Sequence, residues 1–129
     1  MNNLYVIDAN AILRYLLKDN LAQSAEVEGV LKKAKSLGSD VYVTREVVME
    51  CVYTLTKFYK VSRSDVYMSL KSFLNTRIIV LEERVFVMKA LDCFLSTNIS
   101  YVDCLVLIKS EDLGGKLVTF DKKLLAKSK

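Results

Sequence analysis

The chain has 129 residues, 52% of them apolar, enough for one domain with its own core and too few for a comfortable second. Its 19 basic and 15 acidic residues leave a net charge of +4, which is compatible with nucleic acid without demonstrating it. Histidine is absent, so serine–histidine triads, cysteine–histidine dyads and histidine-paired RNA cleavage are excluded, and acid–base work falls to carboxylates, lysine, tyrosine or metal-bound water.

The elements alternate short β-like runs with longer helical ones. LYVID, residues 4–8, reads as the first strand, followed by a helix with Ile12, Leu13, Leu16 and Leu17 on one face. A second helix covers 21–36, with Val27, Val30, Leu31 and Ala34 inward and Gly38 as its stop. VYV, 41–43, is the second strand, and Thr44 caps a helix that runs to about Tyr59. Ser62 with Asp65 opens a helix to Leu74, in the manner of a capping box. RIIVL, 77–81, is the third strand, with a helix over 83–96 behind it. Ser100 with Asp103 starts a helix ending at Gly114 and Gly115. KLVTF, 116–120, is the fourth strand, and Asp121 leads into a basic tail carrying Lys122, Lys123, Lys127 and Lys129. With no proline, repeat or linker, this order implies a single α/β domain over 1–129 with a mostly parallel sheet.

Cys51, Cys93 and Cys104 sit in apolar patterns without metal-ligand spacing, as buried reduced thiols do. That suits a reducing compartment. The apolar run 4–17 is broken by Asp8, Asn10 and Arg14 and lacks a basic start and cleavage site. The expectation is a cytoplasmic protein with no membrane segment.

Chemistry concentrates in acids. Asp8 ends the first strand and Asp121 follows the fourth, and in open parallel sheets ligands sit beyond the carboxyl ends of strands. Two carboxylates on that edge repel unless a hard cation such as Mg²⁺ lies between them. Either aspartate is equally read as an N-cap. Asp103 completes a helix start, and Glu50 lies about 130° from the centre of its helix's apolar stripe, on the flank between core and solvent. Singly, each acid has a structural reading.

In order and spacing, four segments resemble the PIN-domain ribonucleases, most closely the VapC-like toxins of toxin–antitoxin pairs. VIDANAILRYLLKDN is similar to the family's first motif, TREVVMECVYTLTKFY to the second, and ISYVDCLVLIKSEDLGGKLVTFDKKL to the third and fourth joined. The resemblance implies a three-layer α/β/α fold around a parallel sheet of four strands, or five. Only nine residues follow Phe120, which leaves little for the fifth. It further implies that Asp8, Glu50, Asp103 and Asp121 form a catalytic metal site for Mg²⁺ or Mn²⁺. Asn10 and Thr119 would support it, and Arg14 would lie near the cleft. Lys18 and Arg45, placed beside the strand ends, join Arg14 as phosphate-contact candidates. The implied activity is endonucleolytic RNA hydrolysis leaving a 5′-phosphate and a 3′-hydroxyl, with a protein antitoxin and a homodimer as expected partners. Two alternatives stand beside it: a PIN-like scaffold that no longer cleaves, and a doubly wound signalling module, which would want a second acid near Asp8.

Overall fold

The computed structural model describes residues 4–128; Lys129 of the basic tail lies outside them. Three short parallel strands form the sheet: β1 (Tyr5–Val6), β2 (Val41–Val43) and β3 (Ile79–Leu81), in the order β1-β2-β3. Tyr5 pairs with Val41, and Val41 with Ile79. Parallel neighbours need crossover connections. These are α1 (Ala9–Leu17) with α2 (Leu21–Leu37), then α3 (Arg45–Tyr53), a π-helical turn (Thr54–Phe58) and α4 (Arg63–Leu74). Beyond β3 come α5 (Arg84–Ser96), α6 (Tyr101–Leu113) and the short α7 (Lys122–Lys127).

The helix boundaries follow local chemistry. Asn20, Thr44, Ser62 and Ser100 each accept a backbone N–H from three residues on, which satisfies donors that the helix itself leaves orphaned. Gly38 and Gly114 end α2 and α6 with φ of 67° and 62°, a region a side chain resists. The expected long helix through Tyr59 changes character after Tyr53. The Tyr59 N–H reaches Thr54, five residues back, at 3.1 Å, and Val61 reaches Leu55 at 2.9 Å. This wider turn brings the Tyr59 hydroxyl to the Arg14 guanidinium, 2.8 Å away.

Ile12, Val43, Val48, Val52, Leu70, Leu74, Leu91 and Phe94 form the centre of the core. Here α1 packs on α2, α4 on α5 and α5 on α6, while α3 touches both α1 and α6 and so joins the two groups of helices. Arg63 ties the far end together. Its guanidinium lies 3.7 Å from the Phe94 ring centroid and donates to the Phe94 and Ile99 carbonyls. Of the α2 residues expected inside, Ala34 is fully buried, Val27 and Leu31 are half-buried, and Val30 is exposed.

The sheet is smaller than the four or five strands expected. The KLVTF segment, 116–120, is in no strand, and no fifth strand exists among the described residues. A period-two apolar pattern supplies a side-chain face, but a strand exists only when another edge takes its backbone groups. The segment lies instead by α3 and α6, where Leu117 and Val118 share a cleft with Arg45, Met49 and Leu105. The first and third strands are likewise shorter than LYVID and RIIVL, because Arg77 and Ile78 belong to the turn closed by Ile79 N–H on the Thr76 carbonyl.

Candidate active site

Asp8 and Asp121, both expected at strand ends, are caps, and only Asp8 follows a strand. Asp8 Oδ1 accepts from Ala11 N–H at 2.9 Å at the start of α1, and Asp121 Oδ1 accepts from Leu124 N–H at 3.0 Å at the start of α7. Capping occupies one oxygen of each. The other has no hydrogen-bond partner among the described residues, so the cap leaves a ligating oxygen available.

Glu50 lies on α3, exposed beside the buried Val48, Cys51 and Val52. It is paired with neither Arg45 nor Lys57. Asp103 sits in the first turn of α6, half-buried, where its N–H donates to Ser100 Oγ while its carboxylate stays unpaired. None of the four acids forms an ion pair among the described residues, whereas Asp19, Glu28, Glu46, Glu83 and Asp112 do. Asp92, within α5, accepts from the Tyr67 hydroxyl at 2.7 Å.

Two of the four lie on adjoining elements. Asp8 opens α1 and Glu50 lies on α3, 42 positions on, and α3 packs on α1. The Cys51 thiol, which follows Glu50 in the chain, lies 3.9 Å from the Ala9 carbonyl and is pushed up to about 12, chiefly by burial and then by the Glu50 and Asp8 carboxylates. α3 also touches α6, the helix carrying Asp103. No group of three or more acids, cysteines and histidines gathers among the described residues.

The supporting positions divide. Asn10 lines a cleft with Asp8, Val6 and Arg14. Thr119 Oγ1 accepts from Asp121 N–H at 3.0 Å, which fixes the start of α7. Of the basic candidates, Arg14 is paired with Asp19 at 3.0 Å and receives no solvent at its Nε. Arg45 is paired with Glu83 at 2.6 Å and with Glu46 at 3.2 Å, and its N–H donates to Glu82. Lys18, the αL residue ending α1, forms no ion pair among the described residues. Sequence reasoning did not single out Glu82 and Glu83, which hold the Tyr42 hydroxyl and Arg45; the position of Glu82 directly after β3 was the available sign.

A parallel sheet with acids at its carboxyl edge and at adjoining helix starts defines the class of protein. The chain belongs to the PIN domain family, whose model matches residues 5–129. It is also similar to a VapC ribonuclease of Aquifex aeolicus (strain VF5), with 25% identity over 119 residues covering 92% of this chain and 87% of that protein. No solved structure matches the chain. No helix among the described residues is long and apolar enough to cross a membrane.

Proposed function

We propose that this protein is a cation-dependent endoribonuclease of the cytoplasm, the toxin of a toxin–antitoxin pair. The family and the named relative supply the class of reaction. The observation that carries the reading is that Asp8, which caps α1 through one oxygen, and Glu50, on the α3 that packs against α1, both keep carboxylate oxygens without an ion pair among the described residues.

This donor chemistry fits Mg²⁺ or Mn²⁺, which take carboxylate oxygens and complete their shell with water and substrate phosphate. Asp8 and Glu50 would hold the ion, with Asp103 and Asp121 as further ligands. When bound, it would lower the pKa of a water and offset charge on the scissile phosphate. The chain's own part is to hold Asp8, Asp103 and Asp121 at capped helix starts and Glu50 within α3, so that their backbones do not move when the anionic substrate arrives. Asn10 borders Asp8, and Thr119 fixes the backbone of Asp121. Lys18 is the cation with least competition for a flanking phosphate. Arg14 and Arg45 must first leave carboxylates, or act by fixing Tyr59 and the β3 end. Attack by a cation-activated water would leave a 5′-phosphate and a 3′-hydroxyl. A protein antitoxin and a second copy of the chain are the proposed partners.

A second reading, a PIN scaffold without activity, draws on the absence of a gathered group of three acids among the described residues. Incubating purified protein with RNA and Mg²⁺, Mn²⁺ or EDTA separates the two. Cleavage that needs the cation and vanishes in Asp8→Asn supports the nuclease. A 2′,3′-cyclic phosphate product, or equal cleavage by parent and variant, overturns it.

A further inference from the structure

The exposed side of α3 carries more than Glu50. Tyr53 stands three residues on, about 60° round an α-helix, and is 67% exposed. Phe58 stands five residues beyond Tyr53 and is 75% exposed. Had the α-helix continued, Phe58 would share a face with the buried Cys51, seven residues back. The π-helical turn over Thr54–Phe58 widens the last turn and carries Phe58 out of the core instead. Two aromatic rings thus stand in solvent on the helix that holds Glu50.

The charge around them is of one sign. Residues 51–64 include Lys57, Lys60 and Arg63 and no acid. Lys57 and Lys60 are exposed and form no ion pair among the described residues. A cavity of about 200 Å³ opens beside Tyr53, between α3, the end of α5 and the start of α6. Its lining runs from the buried Val52, Phe94 and Tyr101 to the exposed Tyr53, Lys57 and Asn98, with no acid among them. The Asn98 amide has no hydrogen-bond partner among the described residues, and it offers both a donor and an acceptor. Two further lining residues, Met49 and Val102, directly precede Glu50 and Asp103.

Exposed rings among unpaired lysines suit an anion that carries planar apolar groups, which is single-stranded nucleic acid. The cavity is smaller than the roughly 300–1,000 Å³ that encloses a whole small molecule, so it takes one ring system of a longer ligand. A duplex keeps its bases stacked and paired and has none to offer. We propose that the cavity between α3 and α6 takes one unpaired base of single-stranded RNA, stacked on Tyr53 and hydrogen-bonded at its edge by Asn98, with Lys57 at its phosphate and Phe58 under the next base. Because Met49 and Val102 adjoin Glu50 and Asp103, the captured base lies near the bond to be cut, and the choice of base becomes a choice of cleavage site. That last step rests on the nuclease reading; the base pocket does not.

Binding is measured in EDTA, with a fluorescein-labelled single-stranded RNA of mixed sequence. Tyr53→Ala should weaken it about tenfold, the scale of one base–aromatic stack. Circular dichroism should stay that of the parent, because most of the Tyr53 side chain is in solvent. A duplex of the same sequence should bind parent and variant alike. With Mg²⁺, sequenced cleavage products of the parent should show a base preference at a fixed distance from the cut, flattened in Asn98→Ala. Equal single-strand affinity in parent and Tyr53→Ala overturns the proposal, as does an equal loss on the duplex. A Tyr53→Ala variant that keeps its RNA affinity but sediments as a smaller species makes this face a contact between protein chains, and also overturns it. A product spectrum unchanged in Asn98→Ala overturns the role given to that amide. A single-strand-specific loss in Tyr53→Ala, with a parent that cleaves nothing, supports the pocket and sinks the nuclease reading instead.

Discussion

The two ends of the chain use the same kind of sequence to different effect. Near the N-terminus, an apolar strand ends in Asp8 and is paired, backed by α1 and α2, and brought against α3. Near the C-terminus, an apolar segment of the same pattern ends in Asp121 and is paired with nothing, although Asp121 caps its helix as Asp8 does. Local chemistry is equal in the two places. The difference is long-range: β1 has β2 at its side, whereas residues 116–118 lie by α3 and α6 without a ladder. Capping thus says little about ligation, since it engages one carboxylate oxygen and leaves the other.

Substitutions that separate cap from carboxylate sharpen this comparison. The largest effect is expected at Asp8→Asn, where cation-dependent RNA cleavage should fall about a thousandfold, the scale seen when one preorganised charge-stabilising group is lost. Its thermal midpoint should stay that of the parent. Asp8→Ala should lose both activity and some melting temperature. An Asn variant that melts early would make Asp8 structural, and an active one would remove it from the site.

In the core that supports the N-terminal region, Phe94→Ala should cost about 3–5 kcal/mol in urea unfolding. Arg63→Ala should cost about 2 kcal/mol, because the Phe94 and Ile99 carbonyls lose a charged donor. A neutral result at Arg63 would mean that water replaces it freely.

The buried thiols give a pH dependence. Cys51 is pushed up to about 12 by burial and then by Glu50 and Asp8, and Cys104 likewise to about 12, chiefly by burial. An unfolded thiol ionises near pH 8.5. From there upward the unfolded chain releases protons that the folded chain retains, so this contribution to stability is whole below about pH 8.5 and is lost as pH rises toward 12. Urea midpoints should fall through that window, and less so in Cys51→Ala relative to its own value at neutral pH. Iodoacetamide should label neither thiol in the native protein at pH 8. The smallest effect belongs to the C-terminal region. Phe120→Ser should change the stability of the single chain by less than about 0.5 kcal/mol, as an exposed side chain does. A large loss would show that Phe120 is buried in solution.

Much of this was legible in the sequence. Thr44, Ser62 and Ser100 cap the helices expected of them, Gly38 and Gly114 stop theirs, and VYV occupies the strand assigned to it. The four acids could be named because their motifs stand in family order, and their positions at strand ends and helix starts follow from local pattern. The π-helical turn was not legible, since Thr54–Phe58 carries the same apolar spacing as an α-helix. Nor was the engagement of Arg14 with Tyr59 and Asp19, which depends on that wider turn.

The sequence by itself determined where helices begin and end and which residues carry charge at those ends, because capping and burial patterns act over three or four residues. Only the tertiary structure decided which elements carry the acids side by side: α3 packs on α1 and on α6. The missing ladder at Lys116–Phe120 was undetermined for the same reason: strand pairing joins residues far apart in the chain, and nothing within five residues specifies which edge will take them.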